Sequence, residues 1–168
     1  MFRAHVVVVN GLVLILILIA FATAGWAQDA DQSVATCNLD DGKQVAIRYN
    51  PVSTKKEKVT NGKPWEPGGS PMTLFTDAQL TFGGANIPPG AYTLYPIPGK
   101  AWTLVVNKNV TAHSAYDEKQ DIARSQVETD QVPDSSDDLE VAFAHVGDKC
   151  TLRIYFGKAA VFAPFTAK

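Results

Sequence analysis

The residue best suited to chemistry is His113, which lies in a polar stretch with Ser114, Tyr116, Asp117 and Glu118 just after it. A histidine near carboxylates is competent for proton transfer or for metal binding. One hypothesis is therefore a hydrolase that uses His113 with Asp117 or Glu118. The simpler interpretation of the same stretch is a solvated surface loop.

Known catalytic and metal-binding motifs are missing from the sequence. His113 and His145 lie far apart and form neither H-x-H nor H-E-x-x-H, so we predict no metal site and no cofactor. The chain also lacks the G-x-S-x-G turn of acyl-transfer serines. His145 continues the apolar alternation of its segment, which favours a core or strand-end histidine. These absences make a non-catalytic role the leading hypothesis.

Binding is the more specific hypothesis, and it begins from Trp65. This tryptophan stands in the proline-rich and glycine-rich segment GKPWEPGGSP, outside any strand pattern. Such a ring either packs down as an anchor for its loop or faces a ligand. We predict ligand contacts at Trp65, Tyr116 and His113, joined by Tyr95 if the loops cluster at one end of the fold. The partner would be a small molecule, a glycan or a protein.

The first residues predict export. A basic start is followed by the apolar block LVLILILIAFATA and the small-residue segment ATAGWAQD. This is typical of a signal peptide over residues 1–27, cleaved after Ala27 or, as second choice, after Ala24. The alternative is an uncleaved anchor over residues 6–24. With cleavage, residues 28–168 form one domain that is secreted or periplasmic and has no membrane span.

The two cysteines, Cys37 and Cys150, both lie beyond the predicted cleavage site. In an oxidising compartment a lone pair of cysteines predicts one disulfide between them. The alternative is a pair of buried free thiols.

The charge balance is nearly even, with 15 basic and 17 acidic residues and a net charge of −2. Nucleic-acid binding requires a basic face, so we exclude nucleic acid as a partner. The one lysine-rich segment, STKKEKVTNGK, is interrupted by Glu57 and is typical of a solvated surface.

Alternation of apolar and polar residues predicts strands throughout the exported part. In SVATCNLDDGKQVAIRYN, the pair Asp41-Gly42 separates two such runs and predicts a hairpin. About nine strands at spacings of about 8 to 12 residues predict an all-β, single-domain antiparallel β-sandwich, with a β-barrel as the alternative. Inward positions predicted from this alternation include Val45, Ile47, Tyr49, Tyr92, Leu94, Trp102, Leu104 and Val106, with Leu139, Val141, Phe143 and His145 sharing one face nearer the C-terminus.

Prolines and breaks refine this pattern. Residues 52–71 contain many lysines, glycines and prolines and predict a long loop, after which MTLFTDAQLTF resumes strand character. Proline donates no backbone hydrogen bond, so Pro96 and Pro98 predict a strand edge or a connection. By the same argument, Pro164 predicts that the last strand lies at a sheet edge.

Four segments together resemble one protein family: GKPWEPGGSPMTLF, IPPGAYTLYPIPGKAWTLVVNK, YDEKQDIAR and CTLRIYF. Read in this order, they are similar to the secreted bacterial proteins of domain-of-unknown-function family 2911. The most specific part is residues 87–108. The resemblance covers nearly all of the exported chain and implies a secreted, β-rich domain, but it implies no reaction.

The chain departs from this family at two positions. Relatives often carry arginine directly after the tryptophan and an acidic or amide residue a few positions later, whereas this chain has Glu66 and Ser70 there. If the family loop binds an anion through that arginine, this chain lacks the group that would do so.

Overall fold

The computed structural model describes residues 32–111 and 114–168, so the predicted signal peptide lies outside the described residues. Twelve strands and two single 3₁₀ turns, Pro67–Gly69 and Glu118–Gln120, make up the regular structure of that part, which contains no α-helix. The strands are β1 Ser33–Asn38, β2 Gln44–Tyr49, β3 Met72–Thr76, β4 Leu80–Phe82, β5 Ala85–Ile87, β6 Gly90–Ile97, β7 Thr103–Asn107, β8 Asp121–Gln126, β9 Glu128–Gln131, β10 Glu140–Val146, β11 Lys149–Phe156 and β12 Ala159–Ala167.

These strands form two antiparallel sheets. The first sheet has the order β1-β2-β3-β6-β7-β8, and the second has the order β10-β11-β12-β4-β5, with β9 also pairing with β12. The predicted β-sandwich is confirmed, since the described strands do not close into one barrel. The strand number is twelve rather than nine, because short strands follow breaks that the alternation alone does not show.

Alternation explains how the sheets pack. Side chains two apart along a strand point to the same face, and the apolar set of each sheet faces the other sheet. Paired strands keep this set aligned, as Ile47 pairs with Leu74, and Leu74 with Tyr92. The shared core of the two sheets includes the eight positions named above, Val45, Ile47, Tyr49, Tyr92, Leu94, Trp102, Leu104 and Val106. His145, which has the parity of Leu139 and Val141, is instead exposed at the end of β10.

The segment MTLFTDAQLTF is two strands instead of one. It begins as β3 in the first sheet and continues as β4 in the second sheet. Between them, the Thr76 hydroxyl donates to the Ala78 carbonyl at 2.8 Å and accepts the Ala78 N–H at 3.1 Å. This local hydrogen bonding turns the chain from one sheet to the other.

Pro96 lies within β6, which is an interior strand of the first sheet. Its neighbour β3 reaches only to Met72, which pairs with Leu94, so β6 has no strand beside Pro96 on that side. Residues 52–71, here called the strap, cover this gap. The N–H groups of Trp65 and Gly62 donate to the carbonyls of Pro96 and Pro98 at 2.8 and 2.7 Å. The prolines thus lie where only acceptors are needed.

Pro164 lies in an interior strand, so the prediction of an edge position for β12 is wrong. β12 pairs with β11 along one side. Along its other side, β9 pairs with residues 159–162 and β4 pairs with residues 166–167. Pro164 falls between these two partners, where no ladder bond is required of it.

A disulfide joins the two sheets, as predicted. Cys37 of β1 is bonded to Cys150 of β11, with their Cα atoms 6.1 Å apart. Both residues are buried in the core. The bridge therefore fixes the first strand of one sheet to the other sheet. Within residues 32–111 and 114–168, no helix has the length and apolar character needed to cross a membrane.

Candidate functional site

The outer face of the first sheet carries a second buried cluster. Tyr95 on β6 and Val105 on β7 point away from the main core, yet Tyr95 is only 2% exposed and Val105 is fully buried. The connection between β7 and β8, residues 108–120, supplies Tyr116, whose ring meets the Tyr95 ring edge to face at 4.9 Å between centroids. This connection therefore covers part of the outer face.

A closed polar network fixes Tyr116 in place. The Tyr116 hydroxyl donates to Asp121 Oδ2 at 2.7 Å. Arg124 donates to the same carboxylate oxygen from Nη2 at 3.0 Å and also donates to the Tyr116 hydroxyl. We call Tyr95, Tyr116, Asp121 and Arg124 the outer-face cluster.

Asn107 connects this cluster to the sheet. Its side-chain amide donates to Asp121 Oδ1 at 2.8 Å and to the Asp117 carbonyl at 2.9 Å. Its amide oxygen accepts the Asn109 N–H, and Thr93 donates to the Asn109 carbonyl. Asn107 is 1% exposed, so these bonds replace the water that a buried amide loses.

The solvent-facing part of the cluster combines one cation with one carboxylate. The Arg124 side chain is 40% exposed, and its Nη2 lies 3.4 Å from Glu118 Oε1. A shallow depression of about 320 Å³ opens here, lined by both side chains and by Gly83, Ala85 and Asp121. The depression offers donors and an acceptor side by side.

The environment keeps both tyrosines protonated. Burial, followed by the hydrogen bond to Asp121 and the charge of Asp121, raises the pKa of Tyr116 to about 12, although Arg124 acts in the opposite direction. Burial raises the pKa of Tyr95 as well, with contributions from the carboxylates of Glu66 and Asp121. Neither hydroxyl is thus available as a base near neutral pH.

Trp65 lies in a different cluster, as an anchor of the strap. Its side chain is 4% exposed and meets the rings of Trp102 and Phe156 at 6.2 and 4.7 Å between centroids. Its indole N–H donates to Glu57 Oε1 at 3.0 Å. The ring closes one end of the sandwich between the two sheets. Trp65 therefore anchors its loop, which is one of the two alternatives that the sequence left open.

The other predicted site residues separate into three cases. His113 lies outside the described residues. The Asp117 carboxylate accepts the Lys119 N–H and so caps a 3₁₀ turn, while Glu118 pairs with Arg124. His145 is at an exposed strand end, and its Nε2 lies 2.7 Å from the Gly147 carbonyl oxygen. Over residues 32–111 and 114–168, no three His, Cys, Asp or Glu side chains converge as a metal site.

Sequence reasoning missed Asp121, Arg124 and Asn107. The first two lie in the segment YDEKQDIAR, three positions apart at the start of β8. That spacing, combined with the tyrosine that opens the segment, is the signal that points to the polar network. Asn107 gave no comparable signal, because its burial depends on a loop that folds back over it.

Comparison with known proteins identifies a family but no better-understood relative. The family model described as "Protein of unknown function (DUF2911)" matches residues 30–165. No curated protein and no solved structure matches the chain.

Proposed function

The chain belongs to the DUF2911 family of proteins of unknown function, and on that premise we propose that it is an exported, non-catalytic binding module. Its ligand would contact the outer-face cluster at Tyr116 and Arg124, next to Glu118. The proposal assigns His113 to the same site because it belongs to the connection that carries Tyr116. Trp65 would contribute by anchoring the strap that carries Glu66.

The observation that carries this proposal is the exposed Arg124–Glu118 pair at the edge of a buried network. The oxygens of Asp121 and the hydroxyl of Tyr116 are already bonded to their neighbours. Arg124 and Glu118, in contrast, keep much of their surface open to solvent. A rigid base with an open polar rim is the arrangement that favours recognition over chemistry.

The chemistry of this rim indicates the class of ligand. A guanidinium presents several donors in one plane, and a carboxylate only accepts. A ligand with donors and acceptors close together satisfies both groups, as a peptide backbone, an amino acid or a neutral glycan does. The hydrolase alternative receives no support from any described residue: its histidine lies outside the described residues, the Asp117 carboxylate caps a 3₁₀ turn, and Glu118 pairs with Arg124 at the surface.

Export remains part of the proposal. The signal peptide predicted at residues 1–27 would direct the chain out of the cytoplasm. The Cys37–Cys150 disulfide is compatible with export, because the oxidising conditions outside the cell or in the periplasm would preserve it.

The binding proposal is tested by thermal shift on residues 28–168 with a panel of glycine, diglycine, cellobiose and maltotriose. A ligand that binds only the folded state raises the unfolding midpoint by mass action. We expect at least one compound to raise the midpoint, and Glu118→Gln to reduce that shift because the amide lacks the negative charge and carries a donor in place of one acceptor oxygen. The neighbouring variant Lys119→Gln is the matched control and should respond as the wild type does.

Two outcomes contradict this proposal. A midpoint unchanged by every compound, at concentrations up to about 10 mM where even weak ligands bind, removes the small-ligand assignment. A shift that is equal in Glu118→Gln and wild type removes the assignment to this rim. Cleavage of a glycosidic bond in cellobiose or maltotriose, or of the peptide bond in diglycine, during the incubation would instead favour the hydrolase.

A further inference from the structure

A groove unrelated to the outer-face cluster lies at the strap end of the sandwich. The turn from β6 to β7 contributes Lys100 and Trp102, the turn from β11 to β12 contributes Lys158, and strand β9 forms the wall between them. Two backbone bonds hold these parts together: Val127 N–H donates to the Trp102 carbonyl at 2.9 Å, and Val132 N–H to the Lys158 carbonyl at 3.0 Å. The groove encloses about 350 Å³.

The groove presents donors that lack acceptors. Trp102 is 9% exposed, and its indole N–H makes no hydrogen bond to any residue within 32–111 or 114–168. Lys100 and Lys158 form no ion pair with any carboxylate in the described part of the chain. Indole and ammonium groups can only donate, so the ligand of this groove must supply acceptors.

The net charge of the groove is positive. Asp130 is the one acidic side chain among the lining residues, and its Oδ1 accepts the Gln131 N–H at 2.7 Å. Two lysines against one aspartate leave one positive charge, which favours an anion. The lining residues Thr129 and Gln131 share the face of β9 opposite to Asp130 and add hydroxyl and amide groups, which suit the alternating donors and acceptors of sugar hydroxyls.

From this combination we propose that the groove binds a carboxylated saccharide. Lys100 and Lys158 hold the carboxylate, the Trp102 indole lies at the floor, and Thr129 and Gln131 contact hydroxyl groups. The volume is at the lower end of the range of ligand pockets, which suits one or two sugar units. The same hydroxyl and amide groups also match a peptide backbone, so an acidic peptide is the competing ligand in the test below. None of these residues belongs to the outer-face cluster, so the inference stands independently of the function proposed above.

The test is isothermal titration calorimetry of residues 28–168 with digalacturonate. The methyl ester of the same disaccharide is the matched neutral compound, and sulfate is the matched simple anion. We expect digalacturonate to bind, with the ester and sulfate at least about tenfold weaker, because a charge-assisted bond is lost in one and the hydroxyl contacts in the other. Raising the salt concentration should weaken the binding further.

Substitutions locate the site. Lys100→Gln and Lys158→Gln should each weaken digalacturonate binding by about tenfold, since each removes one charge-assisted bond. Lys149→Gln is the matched control, because Lys149 is an exposed lysine of β11 that does not line the groove. All three side chains are exposed, and unchanged circular dichroism confirms that each variant is folded.

Several results would overturn the inference. Equal affinity for the acid and its ester excludes recognition of the carboxylate. An equal loss in Lys149→Gln shows attraction to the overall charge and no defined site. Binding of tetraglutamate without binding of digalacturonate identifies an acidic peptide as the ligand class. Absence of any digalacturonate binding in the wild type rejects the proposal directly.

Discussion

Asp121 shows how a single carboxylate can hold a long connection against a sheet. One of its oxygens accepts from Asn107, and the other accepts from Tyr116 and Arg124. Its side chain is only 11% exposed, so the carboxylate depends on these donors in place of water. The described part of this connection, residues 108–111 and 114–120, contains no strand, so these side-chain bonds are a main part of what positions it.

The raised pKa of Tyr116 predicts a loss of stability at alkaline pH. In the folded state this pKa is about 12, whereas an unfolded tyrosine titrates near 10. The folded state thus holds its proton more tightly, and the contribution to stability is fully present below pH of about 10. Between about pH 10 and 12 the unfolded state loses its proton first, so the free energy of unfolding should fall.

Urea unfolding at a series of pH values, followed by circular dichroism, measures this fall. Tyr116→Phe should be less stable than the wild type at neutral pH and should show a smaller decrease above pH of about 10. A remaining decrease is expected, because burial also raises the pKa values of Tyr92 and Tyr95. A pH dependence identical in wild type and Tyr116→Phe would contradict the assignment.

Individual aromatic residues show how much of the burial pattern the sequence can predict. Tyr92 and Trp102 follow the alternation and lie in the core as expected. Tyr95 has the opposite parity and is buried by a connection distant in sequence, which no local pattern encodes. Trp65 was correctly placed outside the strands, but its contacts with Trp102 and Phe156 depend on both sheets being assembled.

At the scale of strands and connections, the pairing partners show whether a strand lies at the edge or in the interior of a sheet, and a proline alone does not. Pro96 and Pro164 both lie in interior strands, at points where one neighbouring strand has ended. The rule that proline avoids ladder positions holds, while the inference of an edge strand does not follow from it. The division of MTLFTDAQLTF between two sheets could likewise not be predicted from the sequence, since both halves keep the strand pattern.

The Cys37–Cys150 disulfide should contribute a large share of the stability of the fold. It closes a loop with a sequence separation of 113 residues. Restricting the unfolded chain over that length stabilises the folded state by about 4 to 5 kcal/mol by chain entropy. We expect the double variant Cys37→Ala/Cys150→Ala to lose about that much free energy of unfolding, measured by urea denaturation.

Reductant supplies the control for this measurement. Wild type unfolded and refolded with a thiol reductant should match the double variant, and the double variant itself should be insensitive to the reductant. If the double variant has the same free energy of unfolding as the wild type, the bridge does not constrain the unfolded chain.

Over the whole molecule, the two sheets approach each other along both long sides. On one side β1 lies beside β10, and the disulfide crosses nearby. On the other side β4 and β5 lie against β8. The turn between β4 and β5 brings Gly83 so near to β8 that a Cβ there would be 2.6 Å from Cβ of Ser125.

Adjacent glycines of this turn provide a test of that approach. Gly83 and Gly84 both have positive φ angles, 56° and 83°, so alanine at either position costs about 1 to 2 kcal/mol. Gly84 faces open space, whereas Gly83 faces Ser125. We expect Gly83→Ala to be more destabilising than Gly84→Ala by a further 1 to 3 kcal/mol or so, measured by urea denaturation.

A compensating substitution checks the cause. Ser125→Gly removes the atom that the new methyl group would meet, and the double variant Gly83→Ala/Ser125→Gly should recover most of the extra cost of the clash relative to Ser125→Gly alone. Equal costs for the two alanine variants would show that the turn does not press against β8.

The contact between the strap and β6 also makes the strap replaceable. At Pro96 and Pro98 the strap attaches through carbonyl acceptors that no neighbouring strand uses. A replacement segment needs two suitably placed N–H donors and an aromatic side chain in the position of Trp65, and it must keep the backbone bonds that Val52 and Thr54 make to Leu139 and Asp137. At this contact, therefore, another loop can be substituted for the strap while the twelve strands remain unaltered.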